Sequence, residues 1–175
     1  VAGIMSGYKL QDGTAVTTVD LLREYVEENL RMNKIQNEIE QYFIDNVKLK
    51  KDTTDLVNLN LETNLKYVEN EATAYNMDLE TFVQTYSNYK TSEEYSESLR
   101  SQTEENVLLS LVAQYLAEEQ DYKPSVDEVK AYIGSNYDNA VDTYGAGPLA
   151  QECMYNKIMG NYCIDVYERS AIYRS

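Results

Sequence analysis

Histidine is missing from this 175-residue sequence, and with it the commonest general base and zinc ligand of proteins. No Ser–His or Cys–His catalytic pair can therefore form. There is also no Gly-x-Ser-x-Gly elbow and no phosphate-binding loop, and GAGPLA at 145–150 follows a predicted helix rather than a strand. Carboxylates such as Glu93, Glu94 and Glu97 lack the alternating spacing of a calcium loop. We expect these residues to carry no enzyme active site, no cofactor and no metal.

Basic residues and long apolar runs are also scarce. Fifteen Lys and Arg stand against 30 Asp and Glu, a formal charge of −15. This charge argues against nucleic acid as a partner, because phosphate contacts need clustered cations, and KLKK at 48–51 is too short to supply them. No run of about 20 apolar residues predicts a membrane span. No signal peptide is visible, and because VAGIMSGYKL lacks an initiator Met we expect a fragment or a processed product.

Only two cysteines are present, Cys153 and Cys163. On one helix they would lie roughly 15 Å apart along the axis, which is beyond the reach of a disulfide. We therefore expect two free, partly buried thiols, a state that fits a reducing compartment.

Tyrosine is the residue in excess, with 17 Tyr against two Phe and no Trp. A Tyr ring tolerates water on its polar side and hydrocarbon on the other. Leu, Ile, Val and Phe are few, so we expect a lean core, which suits an elongated shape. Two interpretations stay open: the tyrosines complete the rim of a lean core, or they form a surface that contacts other chains.

Helical patterning begins at Thr18. Apolar residues at spacings of three, four and seven predict a first helix of about 30 residues, capped by Thr17 or Thr18. A second helix is expected from about residue 53 to Asn76, whose side chain tolerates the left-handed conformation. Asp78 then predicts the cap of a short helix.

The second half of the sequence contains two predicted capping boxes. Thr91 and Glu94 predict the start of a long helix, whose apolar end VLLSLVAQYL should be buried. Ser125 and Glu128, directly after a proline, predict the start of the next helix. A Gly-interrupted segment and a final helix, with Pro148 in its first turn, complete the pattern.

No alternation typical of strands appears after residue 17, so the predicted fold class is all-α. Residues 1–17 are interpreted as an irregular lead-in or the tail of a preceding domain. Residues 18–175 are interpreted as one helical domain.

The order of these segments resembles a known family. TTVDLLREYVEENL, NMDLETFVQTY, SEEYSESLRSQTEENVLLSLVAQYLAEEQ and KPSVDEVKAYI follow one another as in the C-terminal, substrate-binding domain of trigger factor, a bacterial folding chaperone related in fold to SurA. The resemblance covers about residues 17–170. Its most specific part is the long helix that ends in an apolar run, followed by an acidic turn and the SVDEV restart.

The sequence also departs from that family. It has no proline near the start of the second helix, no Gly-Phe-Arg-x-Gly-Lys ribosome-docking motif and no FKBP-like isomerase domain. Neither ribosome docking nor prolyl isomerase activity is predicted for these residues, and any isomerase domain of the parent protein would lie outside this chain. The resemblance implies a cytoplasmic location, and the high Tyr content would fit a divergent, exported or lipoprotein-anchored relative.

The resemblance implies a multi-helix body with two helical arms, at about 53–121 and 122–160, around a cradle that holds unfolded or nascent polypeptide. Exposed Tyr and Met side chains would bind this client, because they adapt to many partners. The expected polypeptide-binding residues are Tyr75, Met77, Phe82, Tyr86 and Tyr89 at the tip of the first arm and Tyr132, Tyr137 and Tyr144 in the second.

An alternative hypothesis is an all-α dimerisation or adaptor module that binds one folded partner. The long first helix would then pair along Leu22, Val26, Ile35 and Ile39. In this hypothesis the aromatic residues would be buried in a tight dimer.

Overall fold

The computed structural model describes residues 7–10 and 12–172, with side chains described up to Arg169. Its elements are α1 (Val19–Asn46), α2 (Thr54–Ala74), α3 (Leu79–Tyr86), α4 (Ser92–Glu119), α5 (Val126–Ile133), a 3₁₀ turn (Gly134–Asn136), α6 (Tyr137–Tyr144) and α7 (Ala146–Ile172). Within these described ranges the only β pairing is an isolated bridge between Lys9 and Ala15. The predicted all-α class is confirmed. Of the predicted lead-in, residues 1–6 and 11 lie outside the described residues.

Side-chain caps start α1, α3 and α5 where the sequence predicts them. The Leu21 N–H donates to Thr18 Oγ1 at 3.2 Å, and Thr81 N–H donates to the Asp78 carboxylate at 2.7 Å. Ser125 and Glu128 form a complete capping box, because the side chain of each accepts a hydrogen bond from the backbone N–H of the other. These bonds satisfy backbone donors that the first turn of a helix leaves unpaired.

The predicted box at the start of α4 is only half formed. Glu94 N–H donates to Thr91 Oγ1 at 3.1 Å, as expected. The Glu94 carboxylate, however, accepts from the Lys90 N–H at 3.1 Å and not from that of Thr91. The Glu94 carboxylate therefore binds the backbone of Lys90, the residue before the cap. This bond holds in place the segment that leads into α4.

The chain divides into two compact units. One comprises Val1–Asp45 and Leu116–Ser175, and the other comprises Asn46–Tyr115. The second unit contains most of the residues assigned to the first predicted arm, whereas the residues of the second predicted arm belong to the first unit together with α1.

Three small apolar clusters form the core of the first unit. The first contains Val129, Ala140, Leu149 and Cys153, from α5, α6 and α7. The second joins Leu10 and Val16 of the lead-in to the start of α1. The third joins Ile39 of α1 to Met159 and Cys163 of α7. Both cysteines are free and buried on α7, as the sequence predicts.

One hydrogen bond reinforces the contact between α1 and α7. Tyr155 donates its hydroxyl proton to Glu40 Oε1 at 2.8 Å, and the same oxygen accepts from Gln36 Nε2 at 2.7 Å. Burial, and then the bond to Glu40, raise the pKa of Tyr155 above its ordinary value of 10.0. The neutral phenol is therefore the form that this packing favours.

Most of the α1 residues that were predicted to pair in a dimer pack within this chain instead. Ile39 is buried, and Ile35 packs on the same cluster. Leu22 packs on Leu10 and Val16, so of the four residues predicted for dimer pairing only Val26 is exposed. These four residues do not form a free stripe.

The Tyr155–Glu40 bond predicts an alkaline weakening of the fold. Because the pKa of Tyr155 is raised on folding, its contribution to stability is fully present below pH 10 and is lost as the pH rises above that value. Urea unfolding between pH 8 and pH 11 should show a fall in the free energy of unfolding that is smaller for Tyr155→Phe. At pH 8 this variant should be less stable by about 1 kcal/mol. Tyr115→Phe, at an exposed position, is the control. Equal pH slopes for the wild type and Tyr155→Phe would contradict this account.

Candidate functional site

The corner between α2 and α3 is a Schellman turn. Asn76 has a φ of +55°, the left-handed conformation that the sequence predicts there. The Met77 N–H donates to the Ala72 carbonyl at 2.9 Å, and the Asn76 N–H donates to the Thr73 carbonyl at 2.9 Å. These bonds satisfy the last carbonyls of α2 and reverse the chain sharply, so that α3 folds back and packs on α2.

Three aromatic rings meet at this corner. Tyr75 ends α2, and Phe82 and Tyr86 lie one turn apart on α3. The ring centroids are 5.9 Å apart for Tyr75 and Phe82, 5.4 Å for Tyr75 and Tyr86, and 5.0 Å for Phe82 and Tyr86. We call Tyr75, Phe82 and Tyr86 the three-ring patch.

The three-ring patch is exposed although its rings are in contact. Tyr75 is 59% exposed and Tyr86 is 58% exposed, whereas Phe82 is half-buried between them. Val83 of α3 and Ala72 of α2, by contrast, are almost fully buried. Each ring contacts the two others, so the three rings hold one another in place. A partner that binds here meets a surface that is already ordered.

Met77 and Tyr89 were predicted to belong to the same surface, but in the structure they have different surroundings. Met77 is half-buried in the Schellman turn itself, next to the patch in sequence. Tyr89 packs its ring against Tyr95 of α4, with centroids 5.6 Å apart, and its hydroxyl is hydrogen-bonded to Ser98 Oγ. Tyr89 therefore fastens the α3–α4 loop to α4, and its described ring contact is not with the three-ring patch.

The three-ring patch lies in the most acidic part of the unit. Between Glu69 and Glu97 the sequence has seven carboxylates and a single cation, Lys90. Hydrogen bonds from Thr81 lower the pKa of Asp78, and those from Ser92 lower the pKa of Glu80. Both groups thus stay ionised well below neutral pH.

The three tyrosines predicted in the other unit do not form a comparable cluster. Tyr132 donates to Glu152 Oε1 at 2.9 Å and accepts from Asn156 Nδ2 at 2.8 Å. Tyr137 is half-buried against the Val129 cluster, with Lys130 Nζ 5.5 Å from its ring centroid. Tyr144 is exposed at the end of α6. Tyr137 is thus largely a core residue, and Tyr132 is held by polar partners.

The depression between α2 and α4 is lined by apolar, polar and charged side chains. Leu61 and Leu65 lie in its lining, and Arg100 Nη1 donates to Asn58 Oδ1 at 3.0 Å. The lining also has Lys66 paired with Glu62 at 2.7 Å on one helix face. These contacts stabilise and connect helices.

Among the residues that the structure describes, no group of three or more His, Cys, Asp or Glu is arranged to hold a metal ion. No helix in that part of the chain combines the length and the apolarity that crossing a membrane requires.

No protein-family model, curated protein or solved structure matches this chain. The similarity to the trigger factor domain therefore stays a prediction that rests on the order of the sequence segments.

Exposure and burial at the corner predict losses of stability of different size on mutation. Tyr75→Ser and Tyr86→Ser should each lower the free energy of unfolding by less than about 1 kcal/mol, because their rings are mainly in water. Val83→Ala should lower it by about 2 kcal/mol, since it leaves a cavity at a fully buried position. Urea unfolding followed by circular dichroism at 222 nm measures all three. A loss at Tyr75 as large as that at Val83 would mean that the rings are core residues.

Proposed function

We propose that this chain binds unfolded or nascent polypeptide as a folding chaperone, and that the three-ring patch is its principal contact surface. The observation that carries the proposal is a cluster of three mutually supported aromatic rings of which two are mostly exposed. Exposed and ordered aromatic surface is the feature from which binding sites for apolar segments are built.

The chemistry of the patch suits a client without a defined sequence. The two Tyr hydroxyls can remain in water while the rings contact apolar side chains. Met77, adjacent in the turn, has a flexible side chain that can repack around different residues. Burying roughly 200 Å² of ring surface would contribute about 5 kcal/mol before the cost of ordering the client. Each contact is thus weak and reversible, as a chaperone requires.

The two-armed arrangement around a cradle is part of this proposal. It comes from the resemblance of the sequence to the trigger factor domain, in which residues 53–121 and 122–160 would form the arms. Prolyl isomerase activity and ribosome docking are not included, because the residues that would perform them are not in this sequence.

Suppression of aggregation tests the proposal. At several-fold molar excess the chain should reduce light scattering by a denatured client diluted into buffer. The variant with Ser at Tyr75, Phe82 and Tyr86 should lose most of this effect, because it removes the apolar contact surface. The matched control replaces three other exposed apolar residues by Ser: Leu30, Tyr115 and Val126. No suppression by the wild type, or equal suppression by both variants, would refute the role of the patch.

The acidic surroundings of the patch predict a preference among clients. Two peptides with the same apolar centre, one flanked by Lys and one by Glu, should differ in affinity in favour of Lys, since Asp78 and Glu80 are ionised. The difference should be about fivefold or more at 50 mM salt and should nearly vanish at 500 mM, because salt screens exposed charges. Fluorescence anisotropy measures the affinity of each peptide at each salt concentration. A preference that is independent of salt would rule out this electrostatic explanation.

The adaptor hypothesis receives less support. Three of the four residues that would pair along α1 are already packed within the chain. A partner on α1 would have to bind around Val26 and Leu30, which are exposed.

A further inference from the structure

Tyr75 and Tyr86 are the two members of the three-ring patch that have a phenolic hydroxyl. Their ring centroids are 5.4 Å apart and their ring planes are tilted by 44°. This separation lies within the range of about 4.5–7 Å at which aromatic rings are in contact. Tyr75 ends α2 and Tyr86 is the last residue of α3. A bond between the two rings would therefore link the two helices covalently.

Both tyrosine rings are open to reagents in solution. Tyr75 is 59% exposed and Tyr86 is 58% exposed. Exposed side chains change rotamer within picoseconds to nanoseconds, so small rotations can bring the two ring edges into the orientation that a bond requires. Phe82 contacts both rings but has no hydroxyl. It therefore holds the pair together without taking part in phenol chemistry.

Two other pairs of tyrosine rings in the described part of the chain are less open. Tyr8 and Tyr25 have centroids 5.2 Å apart, but Tyr25 is half-buried. Tyr89 and Tyr95 have centroids 5.6 Å apart, and both are half-buried. Burial also raises the pKa of Tyr95, so its phenol gives up a proton less readily. Of these three pairs, the one in the three-ring patch combines ring contact with access to both rings.

We propose that Tyr75 and Tyr86 form a site of oxidative modification, at which a one-electron oxidant of the peroxidase class joins the two rings as dityrosine within one chain. This inference is independent of the proposed function, because it concerns the chemistry of the rings themselves and not the binding of a client.

The link forms by coupling of two phenoxyl radicals. Each hydroxyl loses one electron and one proton to the oxidant. Hydrogen peroxide, the final acceptor, takes up both electrons and both protons and becomes two molecules of water. The radicals then join through one carbon–carbon bond between ring carbons that neighbour the hydroxyl-bearing carbons. The hydrogen on each joined carbon moves as a proton to the phenol oxygen of its own ring, which restores both aromatic rings and both hydroxyls. Because the rings are already in contact, this coupling is favoured over an encounter between two chains.

Treatment of the full chain with a haem peroxidase and hydrogen peroxide tests the inference. The product should show dityrosine fluorescence and should remain a monomer on a denaturing gel. Digestion with trypsin and a Glu-specific protease then cuts the chain between the two rings and gives fragments 72–80 and 81–90. Mass spectrometry should find these fragments joined, with the loss of two hydrogen atoms. The fraction of joined fragments should not change on about tenfold dilution of the protein, because both rings belong to one chain.

Phenylalanine variants identify the two rings. Tyr75→Phe and Tyr86→Phe should each lower the yield of joined fragments at least about fivefold, because a phenyl ring keeps the ring contact but forms no phenoxyl radical. Tyr89→Phe removes the other tyrosine of fragment 81–90 and should leave the yield unchanged. Tyr67→Phe, at a position that is 58% exposed on α2, is a second control and should also leave it unchanged. Circular dichroism should show equal helicity for all four variants.

Several results would overturn the inference. One is dityrosine that forms only between chains, and another is a link between Tyr8 and Tyr25 in place of the joined fragments. A yield in Tyr75→Phe equal to that of the wild type would also contradict it. Loss of the link in Tyr89→Phe with its retention in Tyr86→Phe would assign the partner ring to Tyr89 instead. None of these results bears on client binding, which is measured without an oxidant.

Discussion

The left-handed turn at Asn76 is the constraint on which the candidate site depends. It ends α2, and through the hydrogen bonds of Met77 and Asn76 to α2 carbonyls it reverses the chain within a few residues. Asp78 then starts α3 at once. Because two helix ends meet in so short a space, Tyr75 from one helix contacts Phe82 and Tyr86 from the other. A longer or looser connection would leave the same rings far apart.

Tyrosine serves both of the purposes that the composition left open. Tyr155 is an example of the first, with its ring against the α1–α7 core and its hydroxyl bonded to Glu40. Tyr75 is an example of the second, with most of its ring in water. The same chemical feature, a polar tip on an apolar ring, makes both positions stable. A Phe at Tyr155 would leave Glu40 without that donor, and a Phe at Tyr75 would expose more apolar surface.

Local chemistry explains why the helices could be predicted so well. Helix ends are set by side chains within three or four residues, such as Thr18, Asp78 and Ser125, and these can be read directly from the sequence. What a helix face contacts depends on residues far away in sequence. The periodicity of α1 thus shows that Ile39 belongs to an apolar face, but not that Met159 and Cys163 cover it. For the same reason Tyr89 and Tyr137 were expected in binding surfaces although each packs within its own unit.

The two buried thiols of α7 give the chain an internal reporter. Burial raises the pKa of both Cys153 and Cys163, so that at neutral pH they are protonated and shielded from reagents. Cys163 packs with Ile39 and Met159, whereas Cys153 packs with Val129, Ala140 and Leu149. The rate at which a reagent modifies each sulfur would therefore measure how often the surrounding cluster opens. Because the two sulfurs lie in different clusters, the two rates would report on the opening of two separate parts of one unit.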